Sequence, residues 1–155
     1  TTSFGAYSQF DLITITGASN SGNNTTFTVK SVSSDNNFII VEEEVTSESA
    51  GQTITLDHTG FVSDKSKGDG YYSQPDGVHT VAYQVNSTMT GSIKMQGSLA
   101  TAPSEDDWFD ISGSTFTADQ STLISTANFT GNFVWVRAKA TSITAGTISS
   151  VLINS

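Results

Sequence analysis

Apolar and polar residues alternate along this chain in short runs, and helical spacing of apolar positions is nearly absent. Residues 11–16 (DLITIT) place Ile13 and Ile15 on one face of a predicted strand. Residues 26–32 set Phe27 and Val29 in phase and Val32 out of phase, which predicts a bulge or a strand end. The apolar run Phe38-Ile39-Ile40-Val41 within 37–42 follows a turn at Ser33-Ser34-Asp35-Asn36-Asn37, and alternation returns over 53–56. These strands predict a small β-barrel or meander over residues 1–63.

Residues 64–77 break the pattern with Lys65, Lys67, clustered glycines and the pair Tyr71-Tyr72, and read as a linker. Alternation then resumes. In 78–85, His79, Val81, Tyr83 and Val85 share a face, and 92–99 carries Ile93 and Met95. Shorter runs follow at 108–111, 114–117 and 123–124. Residues 132–139 form the strongest predicted strand. Phe133, Trp135 and Arg137 face one way, Val134, Val136 and Ala138 the other, as in a central strand. A terminal strand is expected over 147–153. About seven strands in 78–155 suit a β-sandwich of jelly-roll or immunoglobulin-like kind. The fold class expected is therefore all-β.

Composition agrees. Hydrophobic residues make up 35% and charged residues 14% of 155, with Thr, Ser, Gly and Asn filling the difference, a mixture poor for helices. The net charge is −9 and the six basic residues never cluster, which argues against a phosphate-tracking nucleic-acid surface. The chain has no cysteine, so disulfides and thiolate chemistry are excluded. No segment approaches the roughly 20 apolar residues of a bilayer-spanning helix. The start, Thr1-Thr2-Ser3-Phe4, shows no signal-peptide pattern. Sequons at Asn24, Asn86 and Asn128 are what chance gives in a chain so rich in Asn, Ser and Thr.

The stretch GASNSGNNTTFTVKSV, residues 17–32, has the glycine spacing of a phosphate-binding loop. Asn23-Asn24 stand where the lysine and hydroxyl must be, and no helix follows, so it reads as strand, turn and strand. Glu42-Glu43-Glu44 with Glu48 reads as a solvated strand end, because adjacent residues of a strand point to opposite faces. Glu105-Asp106-Asp107 with Asp110 reads as a turn entering a strand, without the ligand spacing of a calcium loop. Two histidines, His58 and His79, are too few for a zinc site without cysteine, and each reads as a packed residue. No nucleophile elbow marks any serine. Among the aromatics Trp135 reads as core. Tyr71, Tyr72 and Trp108 are the candidate interaction surface, for a sugar or a neighbouring subunit.

Several stretches carry a resemblance. Asp11-Leu-Ile-Thr-Ile-Thr-Gly-Ala-Ser, Gly22-Asn-Asn-Thr-Thr-Phe-Thr-Val-Lys-Ser-Val, Phe38-Ile-Ile-Val and Glu48-Ser-Ala-Gly-Gln-Thr-Ile-Thr-Leu resemble a module of tailed-bacteriophage virion proteins, departing from it at Thr25-Thr26. Gly91-Ser-Ile-Lys-Met-Gln-Gly-Ser-Leu-Ala, Asp107-Trp-Phe-Asp-Ile and Asn128-Phe-Thr-Gly-Asn-Phe-Val-Trp-Val-Arg-Ala are similar to structural proteins of marine cyanophages. The resemblance implies a non-enzymatic virion protein with no catalytic residues and no cofactor. It implies a place on the phage particle surface, on the head rather than the tail, as a capsid decoration (cement) protein. Its partners would be the major capsid protein, other virion proteins and copies of itself, such as a trimer, with neither nucleic acid nor membrane. Read as a whole protein that has lost its initiator methionine, the chain suits a stand-alone decoration subunit. The alternative is a tail-fibre or receptor-binding adhesin that contacts host glycans.

Overall fold

The computed structural model describes residues 3–51, 53–73 and 76–154. Thr1-Thr2 of the expected first module, Gln52 in its fourth motif, Gln74-Pro75 of the expected linker and Ser155 lie outside the described residues. The chain divides into two units, Thr1–Val62 and Ser63–Ser155. Both are built from antiparallel strands, so the protein is all-β.

The first unit holds β1 (Asp11–Thr16), β2 (Thr26–Val32), β3 (Ile39–Val41) and β4 (Thr55–Val62), in the order β3-β2-β1-β4. Among the described residues β3 and β4 form no ladder with each other, so the strands follow the open-sheet alternative and a closed barrel is not shown. Ile13, Phe27 and Val29 form its buried cluster, with Tyr7, Ile15, Val32, Ile39, Val41 and Leu56 packed around them. The irregularity foreseen in β2 lies between Val29 and Ser31, where the register against β3 shifts. β4 runs six residues beyond the alternating stretch. Its Asp57–Phe61 stretch is held by pairing with β1 through a second register shift between Leu12 and Ile13, which periodicity could not foresee.

The asparagines of the 17–24 loop replace backbone partners. Asn20 Oδ1 accepts from Gly22 N (3.0 Å), and Asn24 bonds both the N–H and the C=O of Ala18 (2.8 and 3.0 Å). Buried Asn23 does the same for Thr46 (3.0 and 2.8 Å). The loop is a scaffold for residues 42–50, and its polarity is consumed internally. The Ser33–Asn37 turn works likewise. Asp35 accepts from Ser33 Oγ (2.6 Å) and from Asn37 Nδ2 (2.7 Å) and N (3.2 Å), and these bonds hold its carboxyl below the usual value.

The second unit contains β5 (Ser66–Lys67), the single helical turn α1 (Asp69–Tyr72), β6 (Val78–Val85), β7 (Thr90–Ser98), β8 (Phe109–Asp110), β9 (Phe116–Asp119), β10 (Ile124–Thr130), β11 (Trp135–Ala145) and β12 (Ile148–Asn154). One sheet is β10-β6-β12. In the other, β11 lies between β5 and β7, and β8 and β9 pair with successive stretches of β7. The sheets pack as a sandwich. His79, Val81, Tyr83 and Val85 of β6 are buried, and across the sheets Tyr83 stacks on Phe116 (5.9 Å) while His79 meets Phe133 (5.6 Å).

Tyr83 donates its hydroxyl to the Ser114 carbonyl. Burial pushes its phenol up to about 12, partly offset by the Ser114 side chain. The folded protein then keeps a proton that the unfolded chain releases near pH 10. This contribution to stability is complete below about pH 10 and is lost as pH rises towards 12. Urea titrations through that range are expected to show an alkaline loss of stability that Tyr83→Phe flattens; an unchanged slope in the variant would refute it.

Candidate functional site

The segment expected to be a linker is part of the second unit. Ser63 N and Gly68 N donate to Ala138 O (2.9 Å) and Val134 O (3.1 Å), and Gly70 N donates to Phe133 O (2.9 Å), so residues 63–70 run along β11. Glycine makes this approach possible. A Cβ at Gly68 would lie 2.5 Å from Phe133 O, and one at Gly70 2.4 Å from Asn132 O. Local composition signals a break, whereas the backbone pairing is non-local. Asp69 is 1% exposed, and neither carboxylate oxygen has a hydrogen-bond partner among the described residues, a cost the surrounding ladder must outweigh.

This anchored segment presents Tyr71 and Tyr72 at the surface, 44% and 58% exposed. Their rings meet edge to face at 5.3 Å, and Tyr71 meets Trp135 at 5.1 Å. Trp135 is therefore not core. It is half-buried and fixed by its indole N–H donating to Thr101 O (3.0 Å). Lys67, in register opposite Trp135, holds its ammonium 4.1 Å from the Tyr71 centroid and 5.6 Å from that of Tyr72. The Lys65 ammonium sits 4.8 Å from the Trp135 centroid. Sequence reading found the two tyrosines and missed Lys65, Lys67 and Trp135. The i, i+2 spacing of the lysines was the available signal, since it puts both on one face of a strand.

Trp108 belongs to another arrangement and makes no ring contact with Tyr71, Tyr72 or Trp135 among the described residues. Its face covers the Arg137 guanidinium at 4.2 Å. Buried Arg137 makes a two-pronged ion pair with Glu105 (2.7 Å for each bond) and donates Nε–H to Gln96 Oε1 (3.0 Å). Gln96 donates in turn to Asp110 (2.9 Å), which also pairs with Lys94. Burial acts to raise the Asp110 carboxyl; hydrogen bonds from Lys94 and Gln96 and the charges of Lys94 and Lys139 outweigh it and hold it low. The acidic cluster thus clamps a buried arginine. The Ser104–Asp107 capping box shapes the turn that carries Glu105.

The first unit carries a groove of about 250 Å³, floored by Ile13 and Phe27 and rimmed by Phe4, Phe38, Val45 and Ile54. Phe38, Val45 and Ile54 are each about half exposed, at 55%, 51% and 48%. Beside it the Glu42–Glu44 run is less solvated than expected. Glu43 is half-buried and takes the Thr28 N–H on both oxygens (2.8 and 3.0 Å), while Glu42 pairs with Lys30 (3.2 Å).

His58 lies 3.4 Å from Asp11 and against the Tyr7 ring, and His79 Nε2 is 2.9 Å from Gly131 O and stacked on Phe129. Among the described residues no three His, Asp or Glu side chains gather as a metal site, and no helix is long and apolar enough to cross a membrane. Comparison with family models, with curated proteins and with solved structures gives no match.

Proposed function

We propose that this chain is a structural protein of a tailed-bacteriophage particle, a capsid decoration subunit that acts by docking and not by catalysis. The observation that carries the reading is the apolar groove of the first unit, whose rim residues Phe38, Val45 and Ile54 remain about half exposed. A contiguous apolar patch left half exposed marks a protein contact surface. Docked on the major capsid protein, it would bury that surface and raise the free energy needed to separate capsomers. The phage-like motifs of strands β1, β2 and β3 surround this groove, which joins the resemblance to a physical surface.

Cryo-electron microscopy of particles carrying the chain is expected to place it over capsomer joints; density on the tail alone would overturn the decoration reading. Val45→Asp puts a charge on the rim without touching the buried cluster. It is expected to lower incorporation into particles by about tenfold or more while leaving the melting temperature unchanged. Normal incorporation of that variant would remove the groove from the interface.

A further inference from the structure

We propose that the surface formed by Lys65, Lys67, Tyr71, Tyr72 and Trp135 is a binding site for acidic saccharides. The inference stands apart from where the particle carries the protein.

The cations are unusual for this chain. Lys30, Lys94 and Arg137 are each paired with a carboxylate, and Lys139 lies near Asp110. Among the described residues Lys65 and Lys67 pair with no carboxylate and instead rest on aromatic rings. In a protein of net charge −9 they bring two ammonium groups to one surface; Asp64 and Asp69 flank them in the chain but form no ion pair with either among the described residues. Cation–π contact restrains the ammonium groups without neutralising them, so they stay available to an anion.

The rings supply the second half of the recognition. Tyr72 is the most exposed of the three, and the Lys67 ammonium, 4.1 Å from Tyr71, is the farther from Tyr72 at 5.6 Å. A pyranose laid on Tyr72 covers the ring with its C–H face and brings a carboxylate or sulfate at the sugar's edge within reach of Lys67. Lys65 and Trp135 continue the same surface for a second residue. The platform is prebuilt, because β5 is paired to β11, Gly68 and Gly70 lie against the Asn132–Phe133 backbone, and Trp135 is tied to Thr101. Little ordering is needed on binding.

Other anions fit less well. A single-stranded nucleic acid carries a phosphate on every nucleotide and meets a strongly acidic protein with just the two lysines of this surface to track them. An acidic peptide supplies carboxylates on flexible stems and no flat apolar face for Tyr72.

The test is titration of the whole chain with sialyllactose and trigalacturonate, with lactose, polyglutamate and oligothymidine alongside, at low and high salt. At least one acidic saccharide is expected to bind at low salt and weaken as salt rises, with lactose weaker. Tyr72→Ala and Lys67→Gln, both at exposed positions, are each expected to weaken binding about tenfold or more without changing the melting temperature. Absence of saturable binding by either acidic sugar would overturn the proposal. So would unchanged affinity in both variants, or polyglutamate or oligothymidine binding as tightly as the saccharides.

Discussion

Phe27→Ala is expected to destabilise the first unit by about 3–5 kcal/mol. Phe27 lies in that unit's buried cluster together with Ile13 and Val29. It also floors the apolar groove, so truncation opens a void into a space already half exposed. A sheet unit of this size buries a modest fraction of its chain, and its whole stability is of the same order as the loss. Urea denaturation followed by amide signals of Thr1–Val62 would read the effect. A loss below about 1 kcal/mol would mean that Tyr7, Ile15 and Leu56 close over the gap, and that this core is more plastic than its packing suggests.

Glu105→Gln is expected to cost about 3 kcal/mol for a different reason. The Arg137 side chain is nearly inaccessible, and Glu105 supplies both oxygens of its ion pair. Among the described residues, removing the carboxylate charge leaves a guanidinium under Trp108 with the neutral Gln96 as its remaining hydrogen-bonded partner. The pair itself need not contribute much, because desolvation offsets the attraction of buried ions. The double variant Glu105→Leu with Arg137→Met is therefore expected to recover most of the loss. Thermal melts of both variants decide the matter. Equal destabilisation in single and double variants would show that packing of the long side chains matters, and not the uncompensated charge.

The candidate site was half legible. Tyr71 and Tyr72 announced themselves as bulky rings in a polar, glycine-rich stretch, and the structure leaves both exposed. Trp108 has the same local appearance, yet it covers an arginine that lies 29 positions later in the chain. Trp135 misled in the opposite direction. Its apolar strand context suggested core, whereas it is half-buried, and what covers it is the segment bearing Lys65 and Tyr71. Local sequence reports a side chain's chemistry; which neighbour covers it depends on pairing across long separations.

The sequence by itself determined that this protein is built of strands. Residues 26–32 and 78–85 match β2 and β6 in their bounds, because a two-residue alternation has one regular solution in which one face is buried. It also set the turn chemistry of Asp35 and of Asn20 and Asn24 in the 17–24 loop, whose hydrogen bonds are short-range. Tertiary structure alone decided that the glycine-rich stretch after Val62 joins a sheet, that β4 continues to Val62, and that an acidic turn clamps Arg137. Each of these depends on hydrogen bonds or charges supplied by residues distant in the chain, and such pairings leave no local period to read.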